Sequence, residues 1–255
     1  MTDPTQRFSS RVDAYSRYRP AYPPTLVPAL EKEAALRPGS TIADLGAGTG
    51  KSCEPFLLAG YTVVAVEPNA AMRQALDDSL ADFASWRSVD GRAEATGLDD
   101  ASVDAVFAGQ AFHWFDQVAT KREVSRILKP GGLCILAWYE RDLDASVFER
   151  EYEAVLVRRC PEYAAVRKLR DFDVATLAEF YAPAPVRRLV LPHTQALDEQ
   201  ALIGRVMSGS YAPQTGPEHD ALVADVALLF AKHQAGGEVE LHYETRVHYG
   251  HWVIR

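Results

Sequence analysis

The sequence has little of what marks secreted or membrane-spanning proteins. Its 255 residues contain three cysteines, an odd number that is scattered along the chain as Cys53, Cys134 and Cys160. Such usage fits reduced thiols better than a disulfide framework. The start of the chain lacks a basic segment followed by an apolar one, and no apolar run approaches the roughly 18 residues that a membrane-spanning helix needs. We therefore expect a cytoplasmic protein with no membrane span.

Positive charge is also scarce. Lysine and arginine number 27 against 35 aspartates and glutamates, which gives a net charge of −8, and no basic run stands out. Binding to nucleic acid through its phosphates is therefore not expected. The seven histidines show no metal-ligand spacing with cysteines or acids, so we expect no metal site. With 47% hydrophobic residues, the chain can bury one α/β core and carry a cap, and residues 1–255 are predicted to form one domain.

The most informative segment runs from Ile42 to Gly50. Apolar residues lead into Asp44, and the glycines at every second position after it begin with Gly46 and Gly48. This pattern predicts a buried strand, a tight turn in which the backbone approaches a ligand, and the start of a helix. A nicotinamide or flavin fingerprint would place its third glycine one residue later. The spacing instead resembles the S-adenosylmethionine (SAM) loop of class I methyltransferases, in which Asp44 would lie near the positively charged methionine end of the cofactor.

Further signals follow in the order that this resemblance implies. Residues 62–66 form an uninterrupted β-branched run that predicts a second buried strand. That strand ends at Glu67, where an acid would accept hydrogen bonds from two ribose hydroxyls. Met72 would pack either against adenine or in the core. The Leu-Lys-Pro-Gly-Gly string at 128–132 predicts a turn before a fifth strand at 133–138, and is frequent in the same superfamily.

The loop after the third strand departs from the methyltransferase pattern. Arg92 occupies the position at which many relatives have an aspartate that binds the adenine amino group. A guanidinium group only donates hydrogen bonds and cannot replace that aspartate. The adenine contact is therefore assigned to the backbone around Ala93 and to Glu94.

A histidine among aromatic residues follows the fourth predicted strand, residues 104–108. Ligands of open α/β sheets collect at the carboxyl ends of strands, and this segment lies at that edge. We predict that His113 is a general base or a substrate-orienting group, and that Phe112, Trp114 and Phe115 form the wall of an apolar pocket. A packing histidine within an aromatic cluster is the alternative.

Two outer parts of the chain are predicted to complete the site. Residues 1–24 are aromatic and polar, and Tyr18 and Arg19 lie in a run that resembles the amino-terminal lid of a methyltransferase branch. Arg19 would then be available to the methionine carboxylate, whereas the alternative is an arm packed on the surface. Residues 140–182 read as helices, and with residues 198–213 they are predicted to form substrate cap elements. The neutral hydrogen-bond donors in the second of these elements are Ser208, Ser210 and Tyr211.

Taken together, the chain resembles class I SAM-dependent methyltransferases of the type 11 group, and most resembles the trans-aconitate-methyltransferase-like branch. The resemblance implies an α/β fold: a doubly wound, Rossmann-like sheet of about seven strands with an antiparallel last strand, a SAM-binding core at 40–138 and a helical cap after strand five. The cofactor contacts that it implies are Asp44, Gly46, Ala47, Gly48, Gly50, Glu67, Pro68, Met72, Ala93, Glu94, Gln110, Tyr18 and Arg19.

The family implies that SAM supplies the methyl group and that the protein aligns an acceptor with it. We favour a small organic acceptor that is methylated on a carboxylate or hydroxyl oxygen over C-methylation. A phenol or an activated carbon would need a base such as His113, whereas a carboxylate would not. A SAM-binding regulatory protein without turnover and a nicotinamide-dependent oxidoreductase are the alternatives. The sequence leaves the identity of the acceptor and the oligomeric state open.

Overall fold

The computed structural model describes residues 12–169 and 174–253. Within them, seven strands form one sheet in the order β3-β2-β1-β4-β5-β7-β6. The strands are β1 (Thr41–Leu45), β2 (Thr62–Val66), β3 (Trp86–Val89), β4 (Val103–Gly109), β5 (Leu128–Arg141), β6 (Arg187–Leu197) and β7 (Val239–His251). Residues 1–11 of the predicted arm and residues 170–173 of the predicted cap lie outside the described residues.

Helices connect the strands. They are α1 (Val12–Tyr18), α2 (Leu26–Ala34), α3 (Glu54–Leu58), α4 (Ala70–Ser79), α5 (Gln117–Ile127), α6 (Val147–Arg159), α7 (Tyr163–Leu169), α8 (Val174–Tyr181), α9 (Glu199–Met207) and α10 (Pro217–His233), and a 3₁₀ turn spans Phe112–Trp114. Asn69, Asp116, Ser146 and Asp198 fix the starts of α4, α5, α6 and α9, because each side chain accepts a hydrogen bond from the backbone N–H three residues further on. In the described parts of the chain, no helix has the length and apolar character needed to cross a membrane.

The first five strands are parallel and doubly wound, as predicted. β1 pairs with β2 on one side and with β4 on the other, so the direction in which the chain crosses the sheet reverses between β1 and β4. At such a reversal, the loops that leave neighbouring strands diverge and open a crevice at the carboxyl ends of the strands. The glycine-rich segment that follows β1 lies at this crevice.

The last strand closes the sheet in antiparallel fashion, which confirms the predicted fold class. β7 pairs with β5 on one side and with β6 on the other, and its residues alternate between buried and less buried along its length. β6 is a long strand, because its pairing with β7 continues from Arg187 opposite Tyr249 to Leu197 opposite Val239.

The predicted turn before the fifth strand is instead an irregularity inside it. β5 already begins at Leu128, which pairs with Val103, and the next pair joins Leu133 to Ala105. The extra residues of β5 therefore bulge between these two pairs, and Gly131 supplies the positive φ of 74° that the bulge requires. The strand after the bulge leads without a break to the crevice.

The two faces of the sheet pack against different helices. Tyr139 belongs to the core that also contains Tyr152 of α6 and Leu202 of α9. Trp138, one position earlier in β5, belongs to the opposite core with Phe180 of α8. The helices at 140–182 are therefore divided between the faces, and α8 does not lie over the same side of the sheet as α6.

Candidate functional site

The loop after β1 is held against the end of β2. The backbone N–H groups of Gly46 and Ala47 donate to the carbonyl of Val66, at 2.8 and 3.2 Å. Gly46 has a φ of +70°, and a Cβ on it would lie 2.7 Å from the Cβ of Ala111, so this position needs glycine for the protein's own packing. Gly48 has a φ of +58°, but a Cβ there would meet no atom of residues 12–169 and 174–253 within 4 Å. The space above Gly48 is thus open to a ligand.

Asp44 is fully buried beneath this loop. Its Oδ2 accepts hydrogen bonds from the Ser52 hydroxyl at 2.5 Å and from the Cys53 thiol at 3.1 Å. Its Oδ1 has no hydrogen-bond partner among residues 12–169 and 174–253. Burial raises the pKa of Asp44 from an ordinary 3.8 to about 6, although the two hydrogen bonds oppose that rise. A positively charged group beside this carboxylate would therefore stabilise its ionised form.

Glu67 lies just beyond β2 and is also buried. Its Oε2 accepts from the backbone N–H of Gly48 at 3.0 Å, and its Oε1 accepts from that of Asn69 at 2.9 Å. Burial raises the pKa of Glu67, and these backbone donors partly offset the rise. Glu67 therefore joins the glycine loop to the start of α4, and its role as the acceptor of two ribose hydroxyls stays a prediction.

The other residues predicted near the adenine lie along the same side. Met72 is buried in the first turn of α4, and Pro68 precedes that helix. Ala93 is buried, and the Glu94 carboxylate accepts a hydrogen bond from the backbone N–H of Asp116 at 2.9 Å. These positions agree with an adenine site, and their contacts with a cofactor remain predictions.

A cavity of about 340 Å³, open to solvent, lies over the glycine loop, and we name it the loop cavity. Its lining is Pro20, Tyr22, Gly46, Ala47, Gly48, Thr49, Lys51, Ser52, Gly109, Gln110 and Tyr139. Gln110 enters it from the end of β4 with a φ of +57°, and its Nε2 donates to the carbonyl of Tyr139 at 3.2 Å. The structure thus brings the predicted Gly46, Ala47, Gly48 and Gln110 together.

A second cavity, of about 650 Å³ including its mouth, lies beyond Tyr139, and we name it the arginine cavity. It is lined by Arg19, Tyr139, Glu140, Arg141, Leu143, Glu153, Tyr163, Val166, Arg167, Arg205, Tyr211 and Tyr243. Tyr139 lines both cavities, so they adjoin at this side chain. Of the predicted substrate-lining residues, Tyr211 lies in this wall.

The amino-terminal segment and the serine turn support the arginine cavity. Arg19 is buried in its wall, and its Nη2 donates to the carbonyl of Ser208 at 3.1 Å. The Ser208 hydroxyl donates to the carbonyl of Arg205 at 2.7 Å, so it stabilises the end of α9. Ser210 is buried beside it, and a Cβ on Gly204 would strike the ring of Tyr18. Tyr18 therefore packs on α9, and its contact with the cofactor stays a prediction.

The histidine segment lies on the Trp138 face of the sheet. Nδ1 of His113 accepts from Nε1 of Trp138 at 3.5 Å, and the His113 ring lies 4.8 Å from the ring of Trp114. Phe112 is fully buried and its ring is 4.6 Å from that of Phe180 in α8. Phe115 comes nearest to the glycine loop, since a Cβ on Gly46 would lie 3.3 Å from it. Neither lining given above includes these four residues, and a catalytic role of His113 stays a prediction.

Apart from Arg19 and Tyr211, the arginines and tyrosines that line the arginine cavity are not identified by the sequence analysis. Arg141 and Arg205 are far apart along the chain and form no motif. One signal was present: Arg205 lies in the apolar stripe of α9, between the buried Leu202 and Val206. A charged residue on the buried face of a helix requires a partner or a ligand. Within the described residues, no group of three or more histidine, cysteine or acidic side chains is arranged to hold a metal ion.

Comparisons with known proteins give consistent results. A family model described as a methyltransferase domain matches residues 43–136. An uncharacterized methyltransferase of Mycobacterium tuberculosis strain H37Rv is 37% identical over 234 residues, which are 91% of this chain and 89% of the relative. An uncharacterized methyltransferase of Schizosaccharomyces pombe is 37% identical over 137 residues, which are 53% of each chain. The trans-aconitate-methyltransferase-like branch stays a prediction.

Solved structures share the fold. A protein from Anaeromyxobacter dehalogenans, provisionally assigned as a type II methyltransferase, aligns with a TM-score of 0.64 and 24% identity over 93% of this chain and 100% of that one. Phosphoethanolamine N-methyltransferase 2 of Haemonchus contortus, solved with S-adenosyl-L-methionine, aligns with a TM-score of 0.58 and 16% identity over 98% of this chain and 59% of that one. At these identities the structures show the fold alone.

Proposed function

The chain belongs to the class I SAM-dependent methyltransferases, and from that membership we propose that it methylates a carboxylate or hydroxyl oxygen of a small organic molecule. The observation that carries the proposal is the junction of the two cavities at Tyr139, which lines both. The loop cavity lies over the predicted cofactor loop, and the arginine cavity offers phenol and guanidinium groups. An acceptor in the arginine cavity would reach the loop cavity past Tyr139.

The residues at the glycine loop fit SAM on two observations. Oδ1 of Asp44 is a buried carboxylate oxygen without a hydrogen-bond partner in the described residues, which suits the positive charge of the cofactor's methionine end. The space over Gly48 is open. Glu67, at the end of β2, would hold the ribose hydroxyls. When bound, SAM supplies an activated methyl group on a positively charged sulfur.

The chain's own contribution is to position the acceptor. Tyr139, Tyr163 and Tyr243 line the arginine cavity, and burial raises the pKa of Tyr163 and Tyr243, so their phenols remain neutral hydrogen-bond donors at physiological pH. Groups held in this way fix the orientation of an acceptor, and good alignment offsets on the order of 7–11 kcal/mol of a barrier in favourable cases.

An oxygen acceptor that is already ionised needs no base. A carboxylate is ionised at neutral pH, so its methylation requires only alignment and exclusion of water. This agrees with the place of His113, whose Nδ1 accepts from Trp138 on the other face of the sheet. A carboxylate is therefore the oxygen acceptor that we favour.

The cysteines support a cytoplasmic location. Cys53, Cys134 and Cys160 are free and buried, and burial raises the pKa of each thiol. Protonated, buried thiols react slowly, and free thiols are usual in reducing compartments. We therefore include the cytoplasm in the proposal.

The proposal is tested by methyl transfer from SAM labelled in its methyl group. The protein is incubated with panels of small carboxylic acids, alcohols, phenols and activated carbon acids, and the extracted products are treated with alkali. Methyl esters release labelled methanol under alkali, whereas ethers and C-methyl products do not and are distinguished from each other by mass spectrometry and NMR of the isolated product. We expect label in an ester or an ether. Label only in C-methyl products, or in no product although SAM binds, would contradict O-methylation.

A further inference from the structure

Most of the charge in the arginine cavity is balanced within the protein. Nη1 of Arg141 lies 3.7 Å from Oε2 of Glu149, and Nη2 of Arg141 pairs with Glu153. Arg167 pairs with the other oxygen of Glu153 at 2.5 Å. These two arginines and two glutamates form a network in which opposite charges are equal in number. The network stiffens the wall and leaves little net charge for a ligand.

Two arginines of the wall lie outside this network: Arg19 donates to the carbonyl of Ser208, and Arg205 has no carboxylate partner among the described residues. Only 6% of Arg205 is exposed, and its Nε donates to the hydroxyl of Tyr243 at 3.2 Å. Its Nη1 has no hydrogen-bond partner, and no carboxylate forms an ion pair with it, among residues 12–169 and 174–253. A buried guanidinium without a counter-charge is costly unless something else supplies one. Arg205 lines the arginine cavity, which is where a ligand would supply it.

The phenols around Arg205 do not balance its charge. The Arg205 guanidinium carbon lies 5.9 Å from the ring centroid of Tyr243, and Tyr139 and Tyr211 are further phenols in the same cavity. Burial raises the pKa of Tyr243, so its hydroxyl stays protonated at neutral pH. A neutral phenol orients a cation by hydrogen bonding and by its ring, but it contributes no negative charge.

We propose that Arg205 binds a carboxylate group of the methyl acceptor, and so makes a small organic acid the substrate class. The inference rests on the proposed function, because only that function makes the bound acid a methyl acceptor. A guanidinium group matches a carboxylate by two parallel hydrogen bonds. The guanidinium group of Arg205 carries one positive charge, which one carboxylate group balances, whereas a phosphate monoester carries nearly two negative charges at neutral pH. The oxygen that receives the methyl group would belong to a second group of the acceptor, a further carboxylate or a hydroxyl, which would extend from Arg205 past Tyr139 towards the loop cavity.

The test compares acids with their own neutral amides. A set of straight-chain and aromatic carboxylic acids, their primary amides and phenyl phosphate are titrated by calorimetry into the full chain with S-adenosylhomocysteine present. At least one acid is expected to bind about 10- to 100-fold more tightly than its amide, the range given by a charge-assisted hydrogen bond. If no acid exceeds its amide, or if phenyl phosphate binds more tightly than every acid, the inference is overturned.

Variants then assign the preference to Arg205. Arg205→Met is expected to abolish the preference for the acid, and it should fold because no carboxylate of the described residues pairs with Arg205. Arg205→Gln retains a polar group near Tyr243, and it is used in place of Arg205→Met if the methionine variant does not fold. Arg158→Met is the control, since Arg158 pairs with Asp225 outside this cavity. An unchanged preference in the Arg205 variants would contradict the assignment.

Failure of the proposed function is distinguishable from failure of this inference. Titration of S-adenosylhomocysteine alone measures the affinity of the cofactor site, and the labelled-methyl assay measures turnover. The acids are also titrated without S-adenosylhomocysteine. If the wild-type protein binds S-adenosylhomocysteine but no acid more tightly than its amide, only the role of Arg205 is overturned. An acid preference without cofactor binding would support Arg205 and overturn methyl transfer.

Discussion

Asp44 makes the free energy of unfolding depend on pH, and substitution of this one residue measures its contribution. In the unfolded chain its carboxyl ionises near 3.8, whereas burial holds its pKa at about 6 in the folded protein. Because the folded state binds the proton more tightly, Asp44 lowers the free energy of unfolding as the pH rises from about 4 to about 6. The full effect above that range is on the order of 3 kcal/mol.

We therefore expect Asp44→Asn to gain stability relative to the wild type as the pH rises, whatever its pH-independent cost. Urea unfolding of both proteins without SAM, at about pH 4.5 and about pH 8, measures this difference. Saturating SAM should reduce the pH dependence of the wild type, since a positive group beside Asp44 lowers the pKa of its carboxyl. Unfolding free energies that change in parallel for the two proteins would contradict the raised pKa.

The prediction for His113 separates a base from a wall residue. With an ionised carboxylate acceptor, which needs no base, His113→Gln is expected to retain kcat within about threefold, whereas with a phenol or an activated carbon the loss of a general base is expected to cost roughly 10²–10⁴-fold. Glutamine keeps an acceptor for Nε1 of Trp138, which donates to His113 at 3.5 Å. Rates are compared across pH with the acceptor found by the labelled-methyl assay. A large loss of kcat at unchanged SAM affinity would restore the base interpretation.

At the scale of an element, the role of the loop after β1 can be tested with a glycine elsewhere in the chain as a matched control. Gly48 and Gly60 both have positive φ, +58° and +83°, and at both a Cβ would meet no atom of the described part of the chain within 4 Å. Their alanine variants should therefore lose similar stability, about 1–2 kcal/mol from the left-handed backbone. Only Gly48→Ala should weaken SAM binding, by roughly 100-fold, because its methyl group would enter the loop cavity. Calorimetry and thermal unfolding measure the two effects, and equal SAM affinities would contradict the loop assignment.

The elements also show where sequence patterns are sufficient. The backbone turn of the glycine loop and the strand β2 are predicted correctly because local patterns decide their structure. The Leu-Lys-Pro-Gly-Gly string was predicted as a turn but forms a bulge, since Leu128 pairs with Val103 before the glycines. β6 continues through Pro192 because its whole length pairs with β7. In both cases a neighbouring strand, distant in sequence, determines the outcome.

At the scale of the molecule, the arginine cavity could not be predicted. Its walls come from the arm before α2, the end of β5, the helices α6 and α7, and α9 with the turn after it. Tyr139 and Trp138 are adjacent in β5, yet only tertiary packing decides that Tyr139 faces the cavities while Trp138 faces His113 and α8. A motif identifies the cofactor loop because the same backbone turn recurs, whereas an acceptor site is assembled from residues without fixed spacing.

Binding of the cofactor should raise the free energy of unfolding of the whole fold. A ligand that binds only the folded state at 100 times its Kd adds about 2.7 kcal/mol to the free energy of unfolding. For a chain of 255 residues, this corresponds to a rise in Tm of about 5 °C. SAM should produce this rise, and NAD at the same concentration should produce none, because the third glycine of the loop is at the methyltransferase spacing. Thermal unfolding with each ligand makes the comparison, and Gly48→Ala should lose the response to SAM. A rise with NAD alone would overturn the cofactor assignment, since SAM and NAD would compete for the same crevice at the end of β1.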